Sequence, residues 1–546
     1  MQFNKKNTIS ETLESRNDAT TNFEGGIAFT VEPKMELFLR SSSAMIGSPK
    51  YYVGAEQSTN ELIALIHKVG ENDPEFVLKL ALYARENLYL RSLPVFMVVE
   101  LINHVKDIPN AQHWVASVIQ RADEITEMLS YQFAINKREN KPPLHIPMSI
   151  KHGVANAFGK FDAYQLSKYS GDGNVVSMRR AMFLTHPTPK TSEQISLYKK
   201  IADVTLEPAK VWETSIMVDG SDKESWEKIL PSMGYMAILR NLRNFIVNNV
   251  DTSMYVPRIS DGDFVRKSKQ FPFRFYSAWK TVEAIPKTGI TQHGKKFAIN
   301  VEDVPYVMKG IEKALNESVA NVPKMPGITF VAIDVSDSMN SPVSRKHTLL
   351  RRVVYNANTF DQIREEQRRS VTRKEIAALF GAIVNQRSER AITSVFGEDF
   401  ATVNMSSGDI LENMNKVLRA RVGFSTNAWK AIDFLNTTKK KVDRIVIFSD
   451  EVVYDSHIRD YDLDADYDVD PSHSLIDELV KYQRNVNPDV YVYSVDLAGY
   501  GFSSIPVDTK NTAKIAGFSD KIFNYMALFE TDRRTMLNDI ENYQYH

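Results

Sequence analysis

The sequence predicts an α-solenoid followed by a doubly wound α/β domain, and three features of the chain support this prediction. Apolar residues recur with helical spacing from about Met35 to Ala320, interrupted at short intervals by Pro, Gly and Asn-Asp turns. The segment Asn321–Gly327 then contains two prolines and a glycine, which is typical of a linker. Beyond it, apolar runs of strand length alternate with helical stretches, as they do in doubly wound sheets.

The composition is that of a globular protein with more than one domain. The chain has 546 residues, 43% of them hydrophobic and 25% charged, so it can form two or more packed units. It contains no cysteine, which excludes a disulfide framework and any zinc or iron site held by thiolates. Met1–Gly26 lacks the apolar segment of a signal peptide, and the strongest apolar run, Val95–Ile102, is too short to span a bilayer. We therefore expect a cytoplasmic protein.

Charge is distributed unevenly along the chain, although the net charge is only -1. Residues 151–300 contain 22 Lys and Arg against 14 Asp and Glu, whereas residues 451–500 contain 3 against 12. A basic surface can attract a polyanion even when the whole molecule is neutral. The helical half is therefore the part of the chain in which we expect an anionic partner to bind.

The helical half shows apolar stripes at the spacing of one helix face. The first two stripes are Leu62, Leu65, Ile66 and Val69, and then Phe76, Leu80, Tyr83 and Ala84. Many helices of similar length joined by short turns favour stacked helix pairs, in which each pair buries its stripe against its neighbours. No clean sequence period emerges, so an irregular helical domain stays open as the alternative.

The C-terminal half predicts strands and helices in alternation. The predicted strands are Ile328–Val335, Ala391–Phe396, Ala401–Met405, Val442–Phe448 and Val490–Val495. The predicted helices end near Arg387 or cover Ile410–Leu418, Asn427–Leu435 and Met526–Tyr543. Near-continuous apolar runs such as Ile328–Val335 are typical of buried parallel strands.

Oxygen-bearing side chains follow two of these strands and open one of these helices. Asp334, Ser336 and Ser338 come at the end of the first strand, Thr426 opens a helix, and Asp450 ends a later strand. Ligands gather at the carboxyl ends of strands in open α/β sheets. Carboxylates and hydroxyls without nearby His or Cys suit Mg²⁺ best, with Mn²⁺ or Ca²⁺ as alternatives. The simpler interpretation is that Asp and Ser here only cap the next helix.

A catalytic interpretation of the same residues is disfavoured. A phosphotransferase that used Asp334 as its nucleophile would need a carboxylate two residues later, where the chain has Ser336. The sequence contains no glycine-rich phosphate loop, and no histidine pairs with a nucleophile at a recognisable spacing. We therefore expect a protein that is not an enzyme.

The metal-binding pattern resembles that of the von Willebrand factor A family. Its metal-ion-dependent adhesion site combines the DxSxS pattern, a threonine in a following loop and a later aspartate, and all three are present here. The resemblance implies a binding site in which the metal keeps an open position. Asp455–Asp470, with alternating aspartates, lacks the glycine and the terminal glutamate of a calcium loop and is interpreted as a solvated acidic loop.

Basic residues of the helical half form three clusters. They are Lys137 and Arg138; Lys168, Arg179 and Arg180; and Arg266, Lys267, Lys269 and Arg274. Phe264, Phe271, Phe273, Phe275, Tyr276 and Trp279 are interleaved with the third cluster. Lys and Arg would bind phosphates, and exposed aromatic rings could stack on unpaired bases. Alternatively, the aromatic residues belong to the core and the charges to a solvated face.

The chain as a whole resembles the Ro ribonucleoprotein autoantigen, or TROVE, family. The resembling segments are Asn22–Gly26, Leu166–Tyr169, Arg179–Pro187, Leu230–Leu242 and Ser268–Phe275. Lys168 and His186 match residues that the family uses for RNA contact. The chain departs from the family at Ser170–Gly173, where many relatives have a basic residue.

This resemblance implies a fold and a function. Residues 1–24 would form a polar arm, residues 25–325 a ring of HEAT-like repeats, and residues 326–546 a von Willebrand factor A-like domain that closes the ring. Family members bind small Y RNAs on an outer basic surface and single-stranded 3′ ends of misfolded noncoding RNAs in a central hole. The implied role is RNA quality control or scaffolding by a monomer, which could tether an exoribonuclease through a Y-like RNA. The alternative is a metal-dependent protein-interaction module without RNA as its main ligand.

Overall fold

The computed structural model describes most of both halves of the chain. The described residues are 19–23, 27–43, 55–168, 175–207, 212, 215–216, 220–285, 290–292, 295–297, 300–342, 370–405, 408–453, 474–506, 511–517, 521–532 and 536–545. Among them, no helix is both long and apolar enough to cross a membrane.

The N-terminal half consists mainly of helices, as the apolar stripes predict. They are α1 Pro33–Ser43, α2 Ala55–Asn72, α3 Pro74–Glu86, α4 Ser92–His104, α5 Ala111–Val118, α6 Ala122–Arg138, α7 Met148–Phe158, α8 Ala163–Ser167, α9 Met178–Thr185, α10 Ser192–Ala202, α11 Lys223–Ile229, α12 Tyr235–Val247, α13 Val256–Ile259, α14 Gly262–Ser268, α15 Pro272–Glu283 and α16 Asp303–Ser318. A short hairpin of β3 Ile290–Gln292 and β4 Lys295–Phe297 precedes α16.

Local chemistry explains where individual helices begin and which face they bury. At the start of α3, the carboxylate of Asp73 accepts a hydrogen bond of 3.0 Å from the Phe76 amide, and Pro74 occupies the first turn, where it costs no hydrogen bond. The two predicted stripes are buried except for the half-buried Tyr83. Neighbouring helices such as α3 and α4, α5 and α7, and α15 and α16 pack on each other, so the predicted solenoid is confirmed.

The C-terminal half is a six-stranded sheet with helices on both faces. Its strands lie in the order β11 Thr512–Ala516, β9 Tyr491–Asp496, β8 Arg444–Ser449, β5 Met325–Asp334, β6 Ser388–Phe396 and β7 Phe400–Val403. All neighbours are parallel except β6 and β7. The helices are α17 Arg373–Arg387, α18 Ile410–Arg419, α19 Trp429–Thr438, α20 Leu475–Asn485, α21 Lys521–Asp532 and α22 Met536–Glu541. The predicted doubly wound domain is therefore confirmed.

The N-terminal segment belongs structurally to the α/β half, which changes the predicted domain limits. β1 Ala19–Thr21, within the predicted polar arm, pairs with β2 Ile27–Thr30, and β2 pairs with β10 Phe502–Ser503. The ring of Phe23 packs against those of Tyr500 and Phe502 at 5.1 and 5.7 Å. The expected limit between residues 24 and 25 therefore cuts a hairpin, and the expected limit between residues 325 and 326 falls inside β5.

The α/β half contacts both ends of the helical half. At the N-terminal end, Arg40 of α1 donates a 3.0 Å hydrogen bond to the carbonyl of Tyr500, and Lys34 pairs with Glu541 of α22 at 3.0 Å. At the C-terminal end, Lys280 of α15 pairs with Glu375 of α17, and the Ile410 amide donates to the side chain of Asn316 in α16 at 3.0 Å. The series of helices is thus closed on itself by the α/β domain.

Candidate functional site

The five predicted metal ligands are buried in the α/β half. Asp334 is the last residue of β5, Asp450 follows β8, and these strands are parallel neighbours. Because the carboxyl ends of parallel neighbours meet at one edge of a sheet, the two carboxylates face the same site. Ser336, Ser338 and Thr426 are each at most 5% exposed.

Short hydrogen bonds hold the first three ligands in place. The Ser336 amide donates to Asp334 Oδ1 at 2.9 Å, and the hydroxyls of Ser336 and Ser338 are 3.2 Å apart. Ser449 Oγ donates to Asp334 Oδ2 at 2.7 Å. Asp450 Oδ1 accepts a hydrogen bond of 3.2 Å from the Val452 amide, whereas Asp450 Oδ2 is buried without a hydrogen-bond partner among the described residues.

The loop that carries Thr426 is fixed to this edge by its backbone. The Asp337 amide donates to the Phe424 carbonyl at 3.3 Å, and the Asn427 amide donates to the Gly397 carbonyl at 2.8 Å. Gly423 has a φ of +77°, and a Cβ there would stand 2.4 Å from Glu398 Cβ, so the turn requires glycine. The same loop leaves the ring of Phe424 78% exposed.

The electrostatics of the site favour a bound cation. Burial raises the pKa of Asp334 to about 6. Burial and the nearby Asp334 raise the pKa of Asp450 to about 7, against the opposing effect of Arg373. Two buried carboxyls with one unbonded oxygen, beside hydroxyls, are the donor set that a hard divalent cation prefers. Within the described part of the chain, no group of three or more His, Asp or Glu side chains could hold a metal, so this site depends on its hydroxyls.

The first basic cluster contains a neutralised arginine. The guanidinium of Arg138 at the end of α6 forms two hydrogen bonds, of 2.7 and 2.8 Å, with the buried Glu100. Burial alone would raise the pKa of Glu100, but hydrogen bonds from Arg138, His67 and Tyr131 lower it to about 2. Arg138 was predicted to bind RNA, but its charge is compensated inside the protein. Lys137 is exposed, as expected.

The second cluster lies on α9 and beside it. Arg179 donates a 2.7 Å hydrogen bond to the carbonyl of Ala202, and Arg180 lies over the ring of Phe133 on α6 at 5.6 Å. His186 ends α9 in the left-handed conformation with its side chain exposed. Lys168 follows α8 and is half-buried. The departure at Ser170–Gly173 and the acidic loop Asp455–Asp470 both lie outside the described residues.

The third cluster divides into paired and unpaired cations. Arg266 contacts Asp263 at 2.7 Å and Glu317 at 2.6 Å, so its predicted role in RNA binding is weakened for the same reason as that of Arg138. Lys267 and Lys269 are exposed. Of the six interleaved aromatic residues, only Phe264 is exposed; Phe275 and Tyr276 belong to the core, and Phe271, Phe273 and Trp279 are half-buried.

Arg274 belongs to a group of arginines that sequence reasoning did not find. We call Arg91, Arg240 and Arg274 the arginine cluster. Burial lowers the pKa of the Arg274 guanidinium, and the charges of Arg91 and Arg240 lower it further. All three side chains are nevertheless exposed to solvent, and within the described ranges no ion pair joins any of them to a carboxylate.

A cleft of about 210 Å³ between α12 and α15 adjoins this cluster. Arg240, Arg243 and Arg274 line it together with the hydroxyls of Ser277 and Thr281. The guanidinium groups of Arg240 and Arg274 beside these hydroxyls are suited to phosphate oxygens. No run of basic residues marks the cluster, because its members come from separate elements and have mainly uncharged sequence neighbours.

The model of the TROVE domain family matches residues 30–207 and 199–383. The chain belongs to the TROVE domain family. The second match extends past the expected domain limit at residue 325, through β5 and most of α17. This agrees with the close packing of the helical half on the α/β domain.

Similar proteins are known among curated sequences and solved structures. Telomerase protein component 1 from Rattus norvegicus is 22% identical over 342 residues, and that from Mus musculus is 20% identical over 339 residues; each match covers 46% of this chain. The matched region spans only 13% of the length of either relative. The crystal structure of the RO (RSR) protein of Deinococcus radiodurans superposes with a TM-score of 0.60 at 16% identity, covering 91% of this chain and 99% of that one.

These comparisons confirm that the protein is a Ro/TROVE protein with the expected combination of folds. The likeness to the Deinococcus radiodurans structure extends over nearly the whole chain, so it includes both the helical TROVE part and the α/β part. Family membership and the shared fold support an RNA-binding protein of the Ro type.

Proposed function

We propose that this TROVE protein binds RNA and that the arginine cluster is its main contact with single-stranded RNA. The observation that carries the proposal is the meeting of Arg91, Arg240 and Arg274 at one surface, where the charges of Arg91 and Arg240 lower the pKa of Arg274 and no ion pair among the described residues joins the three to a carboxylate. Like charges gathered in this way are unfavourable in the free protein. A bound polyanion neutralises these charges and removes their repulsion, so the electrostatic free energy favours RNA binding.

The two basic surfaces of the helical half would bind different kinds of RNA. The arginine cluster would hold single-stranded 3′ ends of misfolded noncoding RNAs, because guanidinium groups bind phosphates in pairs of hydrogen bonds. Lys168, Arg179, Arg180 and His186 would contact the stem of a small Y-like RNA, together with the exposed Lys137, Lys267 and Lys269. Arg138 and Arg266 are left out because carboxylates already neutralise them.

The metal site would serve binding rather than catalysis. Asp334, Ser336, Ser338, Thr426 and Asp450 would hold Mg²⁺, which supplies a partly neutralised positive charge with room for an external carboxylate. This chain's own residues bury the ligands and leave Phe424 exposed beside Thr426. That exposed ring favours, as a second function, metal-dependent capture of a protein partner.

An exoribonuclease tethered through RNA fits the same scaffold. We further propose that the protein is cytoplasmic and monomeric and has no enzymatic activity.

Binding of a labelled single-stranded oligoribonucleotide, measured by fluorescence anisotropy, tests the RNA-binding proposal. We expect the variant Arg240→Gln/Arg274→Gln to weaken binding by about tenfold or more, because each charged hydrogen bond to phosphate contributes roughly 1.5–3 kcal/mol. The variant Arg419→Gln/Arg421→Gln is the matched control, since it removes the same charge from exposed positions of the α/β half. Equal affinity of both variants and the parent protein would contradict the proposal.

A further inference from the structure

One face of α7 carries a stripe of polar residues that the fold leaves uncovered. Lys151, His152, Asn156 and Gly159 follow one another at helical spacing along this face, and Met148 extends it at the N-terminal end. The opposite face is buried. Among the described residues, the side chains of Lys151, His152 and Asn156 have no hydrogen-bond or ion-pair partner. The polar atoms of these three side chains are therefore available to bind a ligand.

Two further elements complete a cleft over this stripe. The segment that follows α9 contributes His186 and Lys190, and α5 contributes Gln112 and His113. The resulting cleft has a volume of about 570 Å³, which lies within the range of small-molecule sites. Of the residues predicted from sequence to bind RNA, only His186 lines it.

The shape of the cleft is held by its neighbours. Gln194 of α10 accepts a 2.7 Å hydrogen bond from the Lys190 amide and donates one of 3.3 Å to the carbonyl of Gly159, so it ties the opposite wall to the end of α7. Gly153 lets α7 approach α5 closely, because a Cβ there would stand 2.4 Å from Val115 Cβ. The ring of Tyr545 stacks on His113 at 5.7 Å.

The lining chemistry selects an anion with an aromatic, hydrogen-bonding part. Among the described residues, two lysines and three histidines line the cleft, and no carboxylate does. Ammonium groups bind phosphate, imidazole rings stack on bases, and side-chain amides match the donors and acceptors of base edges. An acidic peptide would use the lysines but would leave the imidazoles and the amides of Gln112 and Asn156 without a matching partner.

We propose that this cleft binds one unpaired nucleotide of an RNA, with its phosphate at Lys151 and Lys190 and its base against His152 and His186. The inference rests on the proposed RNA-binding function and adds to it a site separate from the arginine cluster. The cleft adjoins the surface proposed for the RNA stem and shares His186 with it. A free nucleoside monophosphate has the same chemistry, so it competes for the cleft. The nucleotide is extruded from its neighbours, and the cleft replaces the stacking that it loses.

Competition and substitution together test this assignment. A labelled oligoribonucleotide is bound to the full chain, and uridine monophosphate, inorganic phosphate or a poly-glutamate peptide is added as competitor. We expect Lys151→Gln/Lys190→Gln to weaken RNA binding by about five- to tenfold, as the loss of two phosphate contacts predicts. Lys199→Gln/Lys200→Gln is the matched control, because these exposed lysines of α10 do not line the cleft. Circular dichroism shows whether each variant folds.

Base recognition has its own measurement. RNA containing 4-thiouridine is crosslinked by light, and the modified peptides are identified by mass spectrometry; we expect crosslinks within 148–159 that His152→Ala reduces. Uridine monophosphate is expected to compete at a concentration at least about fivefold lower than inorganic phosphate, because stacking adds about 1–3 kcal/mol. Equal potency of the two would overturn the nucleotide assignment in favour of a simple anion site, and stronger competition by the peptide would assign the cleft to a protein.

Failure of this inference is distinguishable from failure of the proposed function. If Lys151→Gln/Lys190→Gln binds RNA like the parent while Arg240→Gln/Arg274→Gln does not, the cleft assignment is wrong and the RNA-binding function stands. If neither double variant changes RNA binding, both are wrong. Weakened binding by both, with crosslinks on α7, supports both.

Discussion

The guanidinium groups of Arg91 and Arg274 lie close enough for the charge of Arg91 to lower the pKa of Arg274, although one residue precedes α4 and the other lies in α15. Arg240 of α12 acts on Arg274 in the same direction. Within the ranges that the structure describes, no ion pair joins Arg91, Arg240 or Arg274 to a carboxylate, which distinguishes this cluster from Arg138 and Arg266, which are paired.

The metal site predicts a divalent cation that stabilises the fold. Adding Mg²⁺ to metal-free protein should raise the thermal unfolding temperature, since a ligand at 100 times its Kd adds about 2.7 kcal/mol. Asp450→Asn should abolish this increase. Without Mg²⁺ the same variant should be no less stable than the parent, because it removes one of two buried carboxylates that repel each other. Differential scanning calorimetry measures both effects. A variant that still responds to Mg²⁺ like the parent would rule out Asp450 as a ligand.

The buried Glu100 should contribute stability that depends on pH. Its pKa is lowered to about 2 in the fold from an ordinary 4.5, so the stabilisation is complete above about pH 4.5 and is lost as the pH falls towards 2. Glu100→Gln should lower the free energy of unfolding at pH 7 by about 3 kcal/mol, because it breaks a buried pair with Arg138. The difference between parent and variant should shrink between pH 4.5 and 2, as measured by urea unfolding.

Glu71→Gln is the control for this experiment. Glu71 accepts a 2.7 Å contact from His104, but its side chain is 62% exposed, so its loss should cost less than about 1 kcal/mol. A similar cost for both substitutions, or a difference for Glu100→Gln that does not change with pH, would show that the network around Glu100 is not the source of the stability.

Replacing Gly153 by alanine should lower the stability of the protein, although helix propensity alone predicts an increase. In an exposed helix interior, Gly to Ala stabilises by about 1 kcal/mol. Here the added Cβ would stand 2.4 Å from Val115 Cβ and 2.8 Å from the backbone carbonyl oxygen of Gln112. We expect Gly153→Ala to destabilise by about 1–3 kcal/mol in thermal unfolding. Gly70→Ala is the comparison, because its nearest contact is the terminal methyl of the Leu101 side chain rather than a backbone atom, and it should cost clearly less; the reverse order would contradict the packing of α5 on α7.

The predictability of the strands from sequence depended on their composition. β5, β8 and β9 are nearly continuous apolar runs and were located within a few residues. β11 was missed because Lys514 interrupts it. That lysine is fully buried and contacts Glu451 and Asp496 from neighbouring parts of the sheet, each at 3.7 Å. The carboxylates that compensate this buried lysine are distant in sequence, so the local sequence looks like that of a loop. Only the folded structure shows that the segment is a buried strand.

The metal site and the arginine cluster also differ in whether a local sequence pattern reveals them. Asp334, Ser336 and Ser338 form a local motif at a strand end, so the sequence was sufficient to predict them as ligands. The arginine cluster has no local motif, since Arg91 and Arg240 belong to elements that come together only through helix packing. The pairing of Arg138 with Glu100 is equally non-local, and it changed which cations remain available for RNA.

The salt dependence of RNA binding tests the central claim most directly. The logarithm of the association constant of a single-stranded oligoribonucleotide is measured against the logarithm of salt concentration for the parent and for Arg240→Gln/Arg274→Gln. Each phosphate contact contributes about 0.7 to the slope with single strands, so loss of two contacts should reduce the slope by about 1.4. A parent slope near zero, or the same slope in both proteins, would contradict an arginine cluster that binds the RNA backbone.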